Sequence, residues 1–214
     1  MRVVLDNLSL YRDGLLTTIA LTLLSFTAAF VIGMIIAAFR VSPIPPLRAV
    51  ATAYVEVVRN TPLAVLFVLF FFGFTKVGIR YSAFTSAIIV LSAYTGAFIG
   101  ETVRSGINTV AVGQAEAARA LGLTFPQVLR LVILPQALRS VVAPLGNLFI
   151  ALTKNSSLAS IISVLELTEV ADRVTTASAQ PVAAFLGAGI GYLLLTLPAG
   201  VAFGVLERRV AIKR

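Results

Sequence analysis

The 25 residues LLTTIALTLLSFTAAFVIGMIIAAF, from Leu15 to Phe39, contain no charged side chain. A helix needs about 20 predominantly apolar residues to cross about 30 Å of hydrocarbon, so this stretch alone predicts a membrane-spanning helix. Arg40 ends the stretch, and Pro43, Pro45 and Pro46 predict a short loop directly after it.

The composition of the chain points to a membrane protein as well. Of its 214 residues, 58% are hydrophobic and 12% are charged, with a mean hydropathy of +0.99. Soluble globular chains carry about 25% charged residues, which is what a water-facing surface requires. The net charge of +8 comes from Lys and Arg residues that stand singly at the ends of apolar runs. That placement favours membrane orientation over nucleic-acid binding.

Several classes of chemistry are excluded by the residues that the chain lacks. Cysteine and histidine are both absent, which rules out disulfides, thiolate chemistry and histidine-based catalysis or metal binding. Acidic residues form no cluster suited to acid–base or metal chemistry, and no Gly-x-x-x-x-Gly-Lys-Ser/Thr phosphate loop is present. The sequence therefore predicts a non-enzymatic chain with no catalytic residue, no metal ligand and no nucleotide site.

Further apolar stretches predict an all-α integral membrane protein with five spanning helices in a single domain, 1–214. The predicted spans are 15–39, 47–75, 81–103, 139–165 and 181–206, and a polar loop covers 105–138. The second span is the least regular, and Thr61-Pro62 predicts a kink in it. Gly96 and Gly100, four residues apart, predict close approach of two helices, although glycines are also simply common in membrane helices.

The basic residues orient these spans. With the amino terminus outside and the carboxyl terminus in the cytoplasm, ten Lys and Arg residues face the cytoplasm and five face outward. The excess on the cytoplasmic side predicts this topology and places the loop 105–138 in the cytoplasm.

That loop reads GQAEAARALG over 113–122 and VILPQA over 132–137. It resembles the "EAA" signature of permease subunits of ATP-binding-cassette importers, with Val132 where isoleucine is usual. The matching positions of the signature are Glu116, Ala117, Ala118, Gly122, Leu134 and Pro135.

Other segments resemble the polar-amino-acid branch of the same family. They are Arg59-Asn60-Thr61-Pro62-Leu63, the stretch 101–107 and Lys154-Asn155-Ser156-Ser157-Leu158. The resemblance covers roughly residues 15 to 210 and is nearest to permeases of actinobacterial glutamate importers.

The resemblance implies a type I importer core of five helices in the bacterial plasma membrane, with the amino terminus outside. It implies a second permease chain, either identical or a sister, and a cytoplasmic ATPase that binds ATP and Mg. It also implies an extracytoplasmic amino-acid-binding protein as a partner, and no cofactor in this chain. Glutamate is the expected substrate, with glutamine or arginine and histidine as alternatives. A stand-alone secondary transporter or channel is less favoured, because five spans show no obvious internal repeat.

The loop is expected to couple the spans to the ATPase. A short alanine-rich helix is stiff, and its small side chains suit a groove on a partner. Glu116 is expected to anchor the loop through a cap or an ion pair, for which Arg119 is suitably spaced. The alternative is a generic amphipathic helix at the membrane surface. The expected coupling residues are Gly113, Glu116, Ala117, Ala118, Gly122, Leu134 and Pro135.

Charged and polar residues within the spans are candidates for the translocation pathway. Lys154 either lines a polar opening or pairs with a carboxylate, such as Glu166 or one on the partner chain, and the pairing is favoured. The pathway candidates are Thr61, Tyr94, Lys154, Asn155, Ser156 and Ser157. Two pairs at i,i+3 spacing, Glu56 with Arg59 and Glu101 with Arg104, are expected to be structural ion pairs.

Overall fold

The protein is described from a computed structural model, which covers residues 2–210 and shows helices but no strand in that part. The α-helices are α1 Arg2–Asp6, α2 Leu8–Arg40, α3 Pro45–Asn60, α4 Leu63–Lys76, α5 Ala83–Asn108, α6 Val112–Ala120, α7 Phe125–Gln127, α8 Leu134–Asn155, α9 Leu167–Ser178 and α10 Pro181–Val210. A π-helical turn, Val128–Ile133, joins α7 to α8, and a 3₁₀ turn, Ser156–Ile162, follows α8.

Four continuous helical segments are long and apolar enough to cross a membrane, and α3 with α4 makes a fifth if that broken pair is one span. The continuous segments are Leu8–Arg40, Ala83–Asn108, Phe125–Ile162 and Pro181–Val210. Each of the four is longer than the span predicted from its apolar run, although Ala83–Asn108 begins two residues later and Phe125–Ile162 ends three residues earlier than predicted. Helical backbone continues past charged residues at the other end of each apolar run. The all-α membrane fold expected from the sequence is therefore confirmed.

The most extensive helix–helix contact joins α2 to α5. Small residues four apart line the buried face of α2, namely Ser25, Ala29, Gly33 and Ala37. On α5 the matching glycines leave so little room that a Cβ at Gly96 or Gly100 would lie within 3 Å of an isoleucine of α2. The close approach predicted from the Gly96–Gly100 spacing is confirmed, and it lets the two backbones pack without intervening side chains.

The predicted second span, 47–75, is two helices rather than one kinked helix. The axes of α3 and α4 differ by 104°, with the break at Thr61-Pro62. Proline cannot donate a backbone hydrogen bond and disfavours helical torsions in the residue before it, so Thr61 is extended at φ −100°, ψ 130°. The Thr61 hydroxyl donates to the Val57 carbonyl (2.8 Å).

Pro135 does not interrupt the helix, although a proline within a helix usually kinks or breaks it. The chain is helical from Phe125 through Ile162, and the fourth span begins well before Arg139. The π-helical turn Val128–Ile133 lies directly before this proline. A wider turn relieves the clash between a proline ring and the preceding carbonyls, so the helix continues.

The predicted loop 105–138 is consequently mostly helical. Residues 109–111 and 121–124 are its only non-helical links, and they flank α6 on both sides. The phenylalanines of α4 differ in burial, and Phe67 is fully buried in a core with Leu21 and Leu91. Only the outer members, Phe72 and Phe74, are exposed.

Candidate functional site

Helix α6 ends in a complete Schellman turn. The N–H of Gly122 donates to the Arg119 carbonyl (2.9 Å), and the N–H of Leu123 donates to the Ala118 carbonyl (3.2 Å). Gly122 has φ +82°, a left-handed conformation that side-chain-bearing residues adopt with strain. The glycine of the signature thus fixes the reversal after α6.

Side-chain amides hold α6 against the fourth span. Gln136 of α8 donates to the side-chain carbonyl of Gln114 in α6, and it also donates to the Val132 carbonyl (2.9 Å). Ala118 is the buried residue of α6. These hydrogen bonds connect α6 to a segment that is helical from Phe125 through Ile162.

The exposed surface at this end of the bundle includes large apolar side chains. Leu121 is 82% exposed, and Val112, Phe125 and Leu131 are also largely exposed. Exposed apolar groups beside polar ones are typical of a surface that another protein covers.

The residues of the signature divide into exposed and partly buried sets. Gly113 and Ala117 are exposed, while Leu134 and Pro135 are partly buried at the start of α8. Glu116 is exposed too, and within residues 2–210 it forms no ion pair or side-chain hydrogen bond, so the expected anchoring by Arg119 is not confirmed.

An ion-pair cluster lies near the same end of the bundle. Arg104 Nε donates to Glu101 Oε2 (3.2 Å), which confirms this predicted pair. Arg40 Nη1 lies 3.3 Å from the same carboxylate oxygen. The sequence did not predict that Arg40 joins this ion pair. Its position at the end of the first span, on the same side of the membrane as Arg104, could have suggested the contact.

The second predicted ion pair is absent from the part of the chain that the structure describes, because Glu56 and Arg59 do not meet. The Arg59 guanidinium instead lies 5.1 Å from the centre of the Phe98 ring. Tyr94, a pathway candidate, packs with Phe98 at a centroid distance of 5.0 Å. Arg59 therefore interacts with an aromatic ring of α5 instead of with Glu56 of its own helix.

The predicted pairing of Lys154 with a carboxylate of its own chain is not formed among residues 2–210. Its side chain is exposed, and no acidic group of residues 2–210 lies within 4 Å of it. Asn155 and Ser157 are partly buried, whereas Ser156 is buried and donates to the Thr153 carbonyl (2.7 Å). Of the residues expected to line the polar opening in this segment, Lys154 is therefore the most exposed.

Glu166 is a buried carboxylate whose role the sequence analysis did not predict. Its two oxygens accept hydrogen bonds from the backbone N–H groups of Thr168 and Glu169, both 2.9 Å, and so cap α9. Tyr192 of α10 donates its hydroxyl proton to the same carboxylate. Glutamate is an uncommon capping residue, so local sequence carried little signal for this contact.

No group of three metal-ligating side chains occurs among the described residues.

Comparison with protein families matches residues 29–212 to the model described as "Binding-protein-dependent transport system inner membrane component". A probable glutamine ABC transporter permease protein, GlnM of Bacillus subtilis, is 38% identical over 97% of this chain and 96% of that protein. The glutamate transport system permease protein GluC of Corynebacterium efficiens is 40% identical over 92% of each chain.

Among solved structures, a chain of an amino acid ABC transporter crystallised with histidines superposes with a TM-score of 0.91. It is 35% identical in sequence, and the match covers 96% of each chain.

Proposed function

Because this chain belongs to the family of binding-protein-dependent transport system inner membrane components, we propose that it carries glutamate across the cell membrane. It is the permease subunit of an amino-acid importer of the ATP-binding-cassette class. Glutamate permeases from two Corynebacterium species are 40% identical to it, and this observation supports the substrate. Glutamine is the second candidate, since a probable glutamine permease aligns over 97% of the chain.

The proposal includes the arrangement of the assembly. The amino terminus faces outward, so that α6 lies in the cytoplasm on the side with more basic residues. A second permease chain completes the pathway, and an extracytoplasmic binding protein delivers the amino acid. ATP and Mg are held by the partner ATPase, and this chain carries no cofactor.

Helix α6 and the surface around it receive the ATPase in this proposal. Its exposed apolar residues supply the contact, and exposed Glu116 supplies a charge for the partner. ATP binding draws the coupling helices of the two permeases together and turns the pathway outward, and hydrolysis resets it. This is alternating access by rigid-body movement. Pathway residues are Thr61, Tyr94, Lys154, Asn155, Ser156 and Ser157.

The substrate assignment is tested by reconstituting the permease with its ATPase and binding protein in proteoliposomes. We expect ATP-dependent accumulation of glutamate, with uptake of glutamine and arginine at least about tenfold slower, a discrimination of about 1.4 kcal/mol. Uptake that continues without the ATPase would contradict the importer mechanism. Equal rates for the three amino acids would contradict the glutamate assignment alone.

The coupling surface is tested by Gly122→Asp. The substitution strains a left-handed residue by about 1–2 kcal/mol and places a charge at the proposed interface. We expect the variant to insert in the membrane but to co-purify with little ATPase. Gly78→Asp is the matched control, because Gly78 has φ +86° and open space around it but lies after α4, away from α6. Equal ATPase recovery with both variants would refute the role of the α6 turn.

A further inference from the structure

Two adjoining cavities open between α3, α5 and α8. The larger has a volume of about 360 Å³ and the smaller about 300 Å³, and Arg59 and Phe98 line both of them. Volumes in this range accommodate a small solute. We call the two cavities together the Arg59 cleft.

The cation of the cleft is accessible and held in place. Arg59 is exposed, and stacking on Phe98 occupies one face of its guanidinium group. The N–H edge of a stacked guanidinium remains free to donate two parallel hydrogen bonds to a planar acceptor. No carboxylate of residues 2–210 lies within 4 Å of it.

One arginine and two glutamates line the cleft. Glu101 lines the larger cavity, but Arg104 and Arg40 already neutralise its carboxylate. Glu56 lines the smaller cavity without reaching Arg59. Arg59 is therefore the guanidinium that lines both cavities, and no carboxylate of residues 2–210 is paired with it.

The remaining polar lining of the larger cavity is made of hydroxyl groups. Thr102, Ser105 and Thr109 of the α5 end and Ser140 of α8 contribute them. Hydroxyls both donate and accept hydrogen bonds, so they serve the ammonium and the carboxylate groups of an amino acid alike.

We infer that the Arg59 cleft binds the transported amino acid through a carboxylate, with the Arg59 guanidinium as its partner. The inference rests on the proposed function, and it moves Arg59 from a structural ion pair to a substrate contact.

The test is equilibrium binding of radiolabelled L-glutamate and L-glutamine to the detergent-purified permease–ATPase complex, without the binding protein. We expect Arg59→Gln to weaken glutamate binding about tenfold or more, and Arg59→Lys to weaken it less. Arg48→Gln is the control, because Arg48 is an exposed arginine on the same helix that lines neither cavity. It should bind glutamate like the wild type.

The glutamine measurements identify which carboxylate is bound. A loss confined to glutamate assigns the side-chain carboxylate, and an equal loss for glutamine assigns the α-carboxylate, so both outcomes support the contact. Unchanged binding by Arg59→Gln, or no binding to the wild-type complex at millimolar concentration, overturns the inference. ATP-driven uptake by the wild type is measured separately. Uptake that persists when the cleft binds nothing removes the inference and leaves the proposed function standing.

Discussion

Replacing Glu166 by alanine is expected to lower the free energy of unfolding by about 2–4 kcal/mol. The substitution removes the acceptor of two backbone N–H groups at the start of α9 and of the Tyr192 hydroxyl. Glu166 is fully buried, so water cannot replace the lost partner without entering the bundle. The apparent melting temperature of the detergent-solubilised protein should fall by about 5–10 °C.

Two companion variants separate capping from general loss of packing. Glu166→Gln keeps one carbonyl oxygen for the backbone donors and should cost about half as much or less. Asp13→Ala is the control, because Asp13 forms only an exposed pair with Arg12 and such pairs contribute about 0–1 kcal/mol. Melting of Glu166→Ala at the wild-type temperature, measured by size-exclusion chromatography after heating, would show that this network does not stabilise the fold.

Gly33→Ala should be destabilising by about 1–3 kcal/mol even though alanine favours helix. An added Cβ would lie 2.5 Å from Ile99 Cγ2 and 3.1 Å from the backbone nitrogen of Gly100. The backbone of α5 cannot rotate away as a side chain can, so α2 and α5 must separate.

The same substitution at Gly189 is the matched control, since no atom lies within 4 Å of its missing Cβ. There the helix preference acts alone, and Gly189→Ala should be neutral or stabilising by up to about 1 kcal/mol. Opposite signs for the two glycine-to-alanine changes, read as shifts in melting temperature, are the expected result. Equal shifts would contradict the close α2–α5 packing.

The elements that sequence predicted well are those set by local pattern. Uncharged runs predict spans because the bilayer requires them, and the Gly96–Gly100 spacing predicts a helix contact because both glycines lie on one face. The turn after α6 follows from Gly122 in the same way. At these positions the local sequence is enough to predict burial, spacing and conformation, because few residues distant along the chain affect them.

The features that sequence predicted poorly depend on residues distant along the chain. Glu56 with Arg59 and Glu101 with Arg104 have the same spacing, yet only the second pair forms, because Phe98 of α5 competes for Arg59. Two prolines also behave differently. Pro62 ends a helix, whereas the helix containing Pro135 continues because the preceding turn is widened. Local sequence does not distinguish these outcomes.

The π-helical turn Val128–Ile133 also sets the rotational phase of the helix that contains it. Such a turn holds about one residue more than an α-helical turn, and one residue corresponds to about 100° around the axis. The face that α7 presents beside α6 and the face that α8 presents to the bundle are therefore offset by that angle. Deletion of a single residue between 128 and 133 would restore uniform α-helix and turn Gln136 away from Gln114. The position of α6 against the bundle thus depends on one added residue in the chain.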